Sequence, residues 1–224
     1  MGIMEHTSKT LHFRTFSENE ELVQKRRLEV ARSASKVFTK KGYHQTNMRE
    51  LAKACNLSTG ILYHYFGSKE DILWMILSQA TASQAELIET VCDSFAEMAP
   101  KEALRRFIKT LYEWHDTHQN ISLFTYQETR NLPPTARQQI FESEGRILLA
   151  CEKILNRGVS ADEFKIENVK LMAHNIVLLG HAWAVRRWYL KKIITFDNYL
   201  AQETECILRA ISVDYQQDDK PKIT

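Results

Sequence analysis

Seven glycines and four prolines are all that punctuate 224 residues. Sandwiches, barrels and loop-rich folds draw heavily on such residues, because tight turns need a positive φ or a fixed one. Leu, Ala, Glu, Lys and Arg dominate instead, and these side chains lose little freedom on entering a helix. The fold class that follows is all-α. A hydrophobic share of 44% beside a charged share of 26% is ordinary for a globular chain that buries a core. The length suits one large domain, or a small one joined to a larger.

The apolar spacing divides the chain into about nine helices. Residues 1–19 are polar and aperiodic and read as a mobile tail, as do residues 217–224. From Glu21, a face of Leu22, Leu28, Ala31, Ala34, Val37 and Phe38 predicts a first helix ending at Gly42. Thr46 is placed as the cap of a short second helix carrying Met48, Leu51 and Ala52. Asn56, tolerant of left-handed backbone, turns the chain toward Ser58, the cap of a third helix with Ile61, Leu62 and Tyr65. Gly67 closes it. Ser68 opens a fourth helix running nearly to Met98, with Ile72, Ile76, Ala80, Leu87, Val91 and Phe95 inward.

Pro100 suits the first turn of a fifth helix over about residues 100–117. A sixth follows near 121–130 before Pro133-Pro134, and a seventh extends to about Arg157, closed by Gly158. The eighth, about 167–191, is apolar on nearly every face and so is buried from more than one side. Thr195 caps the ninth, striped by Phe196, Leu200, Ile207 and Ile211. These elements group as an N-terminal three-helix domain over 20–67 and a larger helical domain over 68–216.

Charge is unevenly spread. Residues 1–70 carry a balance of +5 and the remainder −3, so a polyanion would find the head and not the body. Cys55, Cys92, Cys151 and Cys206 lie far apart with no C-x-x-C pair, which favours reduced thiols in a cytoplasm. The most apolar stretch, Ile176 to Val185, contains His181 and is too short to span a bilayer. A soluble cytoplasmic protein without a membrane partner is expected.

Within the head the residues become specific. Thr46-Asn-Met-Arg-Glu-Leu-Ala, then Leu57-Ser-Thr-Gly-Ile-Leu-Tyr-His-Tyr-Phe66, then Ser68-Lys-Glu-Asp71, resembles the DNA-binding domain of the tetracycline-repressor (TetR) family over residues 22–73. The resemblance implies a helix-turn-helix whose third helix enters the major groove of double-stranded DNA. Ser58 and Thr59 offer hydroxyls, and Gly60 lets backbone approach the duplex. Tyr63 and His64 stand at the rim, Thr46 turns a helix start toward a phosphate, and Lys69 adds a cation on the flank. Leu62, Tyr65 and Phe66 pack inward. Ile61 is a candidate for choosing the operator sequence. Lys40, Lys41, Arg26 and Arg27 read as a solvated face.

The resemblance also implies a homodimer, through the two C-terminal helices, on a palindromic operator. The same stripes suit a buried monomeric core. Members of the family enclose a small effector, and the candidate walls here are Trp74, Phe107, Tyr112, Trp114, Phe124, Tyr126, Phe141 and Trp183, all expected inside the body. Aromatic residues at helical spacing ordinarily form core, so both readings stand. The stretch Leu123–Pro134 with Trp188-Tyr189 is similar to members that sense fatty acyl-coenzyme A, which makes that thioester the candidate effector.

His115 with His118, and His174 with His181, share helical faces, but no carboxylate or cysteine completes a metal set. Neither a metal nor a cofactor is expected. No G-x-S-x-G, Walker loop, Rossmann glycine run or H-E-x-x-H is present, and Glu128, Glu142 and Glu144 lack the spacing of a facing acidic pair. An enzyme is not the reading. A helical adaptor shares this composition, and DNA binding separates the two.

Overall fold

The structure, a computed structural model, describes residues 20–213, so the tails expected at 1–19 and 217–224 lie outside the described residues. Within them stand ten α-helices and a short 3-10 turn, with no named strand. They form two compact units, one comprising the described residues to Gln79 with Glu128–Gln139, the other Ala80–Gln127 with the described residues from Ile140.

The first unit holds α1 (Glu20–Lys41), α2 (Met48–Ala54), α3 (Thr59–Tyr65) and the start of α4 (Lys69–Asp93). Glu20 and Glu21 in the first turn of α1, and Lys40 and Lys41 in the last, complement its dipole. The face it buries is rotated from expectation. Val23, Val30, Ala31, Ala34 and Phe38 are inside, whereas Leu22 is exposed. Arg27 is buried too, not solvated, and its Nε donates to the Tyr65 carbonyl at 3.2 Å. A charged group is tolerated there because a backbone acceptor from α3 meets it. Gly42 ends α1 at φ 92°, as the glycine suggested.

The cap of α2 is Asn47 and not Thr46. Asn47 Oδ1 accepts from Glu50 N at 3.1 Å while Glu50 Oε2 accepts from Asn47 N at 3.2 Å, a reciprocal capping box. Thr46 is buried one residue earlier, its hydroxyl donating to the Gly42 carbonyl at 2.8 Å.

The second unit is built on α5 (Pro100–Thr117) and α8 (Val169–Val185), with α6 (Gln119–Glu128), the later part of α7 (Pro134–Ser160), α9 (Arg187–Leu190) and α10 (Phe196–Ile211). Leu104, Phe107, Ile108, Leu111 and Tyr112 of α5 meet Ala173, Ile176, Val177 and Trp183 of α8 in one core. Each buried Leu, Ile, Val or Phe among them contributes about 1.5–3 kcal/mol. Gly180 sets the approach, since a Cβ there would lie 3.0 Å from the Tyr112 ring.

Three expectations for this unit fail. Gly158 lies inside α7, where a Cβ would sit 2.0 Å from the Phe164 ring, so the glycine makes room for packing and ends nothing. The apolar eighth helix breaks at Arg186, with φ −103° and ψ 14°, and a four-residue turn of helix follows. No proline or glycine marks that break. Helix α4 stops at Asp93, five residues early, and Leu87 is exposed.

Candidate nucleic-acid interface and ligand cavity

Helices α2 and α3 are joined by a turn in which Asn56 takes φ 55° and Leu57 N donates to Ala52 O at 2.9 Å. Ser58 caps α3, its Oγ accepting from Ile61 N at 3.2 Å. Leu62 and Phe66 are wholly buried and fix the helix, while Tyr65 is half-buried. On the opposite side Ser58, Gly60, Ile61 and Tyr63 are exposed, with Thr59 and His64 half-buried. Among the described residues a Cβ on Gly60 would meet nothing nearer than Ser58 Oγ at 4.0 Å, so the notch at this glycine is open.

Thr46, Thr59, Tyr63 and Lys69 line one shallow depression together with His44, Asn47, Met48 and Arg49. Sequence reasoning passed over His44, Asn47 and Arg49. Arg49 carried a usable signal: a cation in the first turn of α2, inside the motif itself. Lys69, expected as a cation on the flank, donates from Nζ to the carbonyls of Tyr43 at 3.0 Å and Thr46 at 3.1 Å. Thr46 therefore contributes a buried carbonyl to Lys69 and a hydroxyl to Gly42, instead of an open helix start.

The eight aromatic candidates scatter. Trp114 and Tyr126 line a cavity of about 40 Å3 in the second unit, with Ala80, Thr81, Gln84, His115, Ile121, Ser122, Thr125, Glu144, His181 and Val185. Phe107, Tyr112 and Trp183 are core instead. Tyr112 donates to the Ile176 carbonyl at 3.0 Å and Trp183 Nε1 to Asp116 at 2.7 Å, so their polar ends are already paired. Phe124 is buried without lining the cavity, Phe141 is exposed, contrary to expectation, and Tyr126 is exposed along most of its surface although it borders the cavity. Trp74 belongs to the first unit and donates to Gln139 at 2.7 Å.

The polar wall of this cavity was missed. His115 is buried beside Gln84 and Ser122, and its ring meets that of His181 edge-on at 4.6 Å between centroids. Burial holds both imidazoles in the neutral form, His181 near a pKa of about 4 and His115 well below its usual value. Among the described residues no group of three or more His, Cys, Asp or Glu is arranged to hold a metal ion. No helix among them is long and apolar enough to cross a membrane.

A capped recognition helix, a tight left-handed turn and a supporting α1 define a helix-turn-helix protein. Residues 31–74 match the family model of bacterial regulatory proteins of the tetR family, and residues 97–192 a tetracyclin repressor-like C-terminal domain. The chain belongs to the TetR family of helix-turn-helix transcriptional regulators. The HTH-type transcriptional regulator HbdR of an Aromatoleum species is 27% identical over 181 residues, or 81% of this chain and 78% of that one. The fatty acid metabolism regulator protein of Bacillus subtilis is 28% identical over 139 residues, 62% of this chain and 70% of that one. The TetR family regulator PfmR of Thermus thermophilus superposes with a TM-score of 0.70 at 28% identity, over 83% of this chain and 99% of that one. Bacillus subtilis FadR, solved in complex with stearoyl-CoA, shares the fold at a TM-score of 0.66 and 23% identity, over 81% and 97% of the two chains.

Proposed function

We propose that this protein is a cytoplasmic repressor that binds a palindromic operator as a homodimer and leaves it when a small apolar effector, a fatty acyl-coenzyme A, occupies its body. In this reading residues 20–67 are the reading head and 68–216 the effector and dimer domain. The observation that carries the reading is the open notch of α3. Exposed Ser58, Gly60, Ile61 and Tyr63 share the surface opposite buried Leu62 and Phe66, the arrangement a helix needs to lie against base edges. Thr59, His64 and Arg49 border it, with Thr46 and Lys69 holding the groove from beneath.

Two recognition helices on a two-fold axis, about 34–36 Å apart, would read both halves of a palindrome. Leu171 and Leu178, seven residues apart on α8, are both exposed, and an unpaired apolar stripe of this kind supports pairing with a second copy. The thioester effector is supported by the name of the Bacillus subtilis relative and by the stearoyl-CoA held in the FadR fold neighbour. Coupling of effector to DNA of about 1–3 kcal/mol would suffice for release.

A gel-shift titration on the promoter region of the protein's own gene tests this. A discrete complex with the mass of a dimer, dissolved by long-chain acyl-coenzyme A, is expected. A complex indifferent to every chain length removes the effector, and a monomer on DNA removes the palindrome.

A further inference from the structure

Among the residues walling the cavity of the second unit are Gln84, His115, Ser122, Glu144 and His181, and none of its lining residues is a lysine or arginine. His115 is 2% exposed and both its nitrogens are engaged. The side-chain amide nitrogen of Gln84, which can only donate, lies 3.1 Å from Nε2, so Nε2 accepts. The proton of the neutral ring then sits on Nδ1 and is donated to Ser122 Oγ at 3.0 Å. That leaves the Ser122 hydroxyl with a proton to donate.

Glu144 and His181 have no hydrogen-bond partner among the described residues. The Glu144 carboxyl is held above its usual pKa by burial alone, with no cation to draw it back. Besides the hydroxyls of Thr81, Thr125 and Tyr126, an incoming group thus meets the Ser122 hydroxyl with its proton to donate, a carboxyl that accepts, and a neutral imidazole. A methyl terminus would leave them unpaired. A carboxylate would face Glu144 with no cation to offset the repulsion. A hydroxyl accepts and donates at once. The volume of about 40 Å3 suits such a terminus, with Trp114, Ile121 and Val185 as apolar wall.

We propose that the cavity receives a hydroxyl group carried on an otherwise apolar molecule, its oxygen accepting from Ser122 and its O–H donating to Glu144. The proposal rests on the second unit being the effector site. Two matched sets of probes separate the claims. Hexanol, chlorohexane and hexanoate are titrated by calorimetry, and hexanoyl-coenzyme A is compared with its terminal hydroxy and terminal carboxy forms in operator release. Hexanol binding at least about tenfold tighter than chlorohexane, with hexanoate weakest, is expected. The Glu144→Leu and Ser122→Ala variants, checked for an intact melting transition, bring that preference to within about twofold. Chlorohexane equal to hexanol, hexanoate tightest, or no binding in the free set overturns the proposal. Hexanol binding with no release by any thioester would remove acyl-coenzyme A as effector and leave the hydroxyl site standing. Release by all three thioesters at equal concentrations would do the reverse.

Discussion

The ammonium of Lys69 lies over the ring of Tyr43, 4.2 Å from its centre, and donates to the Tyr43 carbonyl at 3.0 Å. A second proton goes to the Thr46 carbonyl, and the Tyr43 hydroxyl donates to Glu70 at 2.9 Å. The first turn of α4 is thereby stapled to the segment that leads into α2. Lys69 in this state is committed to carbonyls within its own unit.

Substituting Lys69→Met is therefore expected to lower unfolding stability by about 1–3 kcal/mol, because two carbonyls lose a charged donor. The salt dependence of DNA binding should change by less than one phosphate contact, a slope of about 0.9. Chemical denaturation and a salt titration measure the two effects. A full unit lost from the slope with stability unchanged would mark Lys69 as a phosphate contact after all.

The bare Cα of Gly158 fits against Phe164, where a Cβ would lie 2.0 Å from the ring. Phe164 is buried and its neighbours Glu163 and Lys165 bond to the end of α10, so the ring has little room to retreat. Gly158→Ala should cost about 1–3 kcal/mol by overpacking, despite alanine's better helix propensity. A thermal melt at or above the parent's would show that the ring moves aside freely.

Acid should weaken the second unit before it reaches the carboxylate range. His115 and His181 are kept neutral in the fold, with pKa values below the usual 6.5, so the unfolded chain binds protons that the folded chain refuses. The stability this contributes is complete above about pH 6.5 and declines as pH falls toward 4, by up to about 1.4 kcal/mol per pH unit for each histidine. Glu50 and Glu89, whose pKa values are lowered by Lys41 and Arg146, add their loss only below about 4.5. Glu144 and Glu203, raised by burial, offset part of this because the fold takes up their protons first. The larger histidine shifts still make denaturation midpoints fall between pH 7 and 5, and His181→Gln should flatten the curve. A flat parent curve across that window would contradict the buried neutral pair.

The head was largely legible because short-range chemistry decides it. Ser58 as a cap, Asn56 as a left-handed turn and Gly42 as a stop each follow from local preferences, and the structure has them so. Thr46 was misplaced by one residue because threonine and asparagine both cap helices, and only the reciprocal bond with Glu50 distinguishes them. The body was legible in helix order, save the break at Arg186 that splits the expected eighth helix, and not in side-chain destination. Phe141 and Trp183 look alike in sequence, yet one is exposed and the other is core with its indole paired to Asp116. The polar cavity wall was invisible because Gln84, Ser122, Glu144 and His181 come from four different helices.

Gly60 gives the most direct test, because among the described residues nothing nearer than Ser58 Oγ at 4.0 Å meets a side chain there. Genomic fragments are to be captured at low salt by the parent and by Gly60→Ala, with stability measured alongside. The parent should enrich one palindromic motif. The variant should melt at the same temperature or higher, since alanine favours a helix by up to about 1 kcal/mol, yet lose at least about tenfold in affinity for that motif as its methyl meets the groove floor. A parent that enriches no fragment, or a stable Gly60→Ala protein that binds the motif as tightly as before, would contradict the assignment of α3 to DNA.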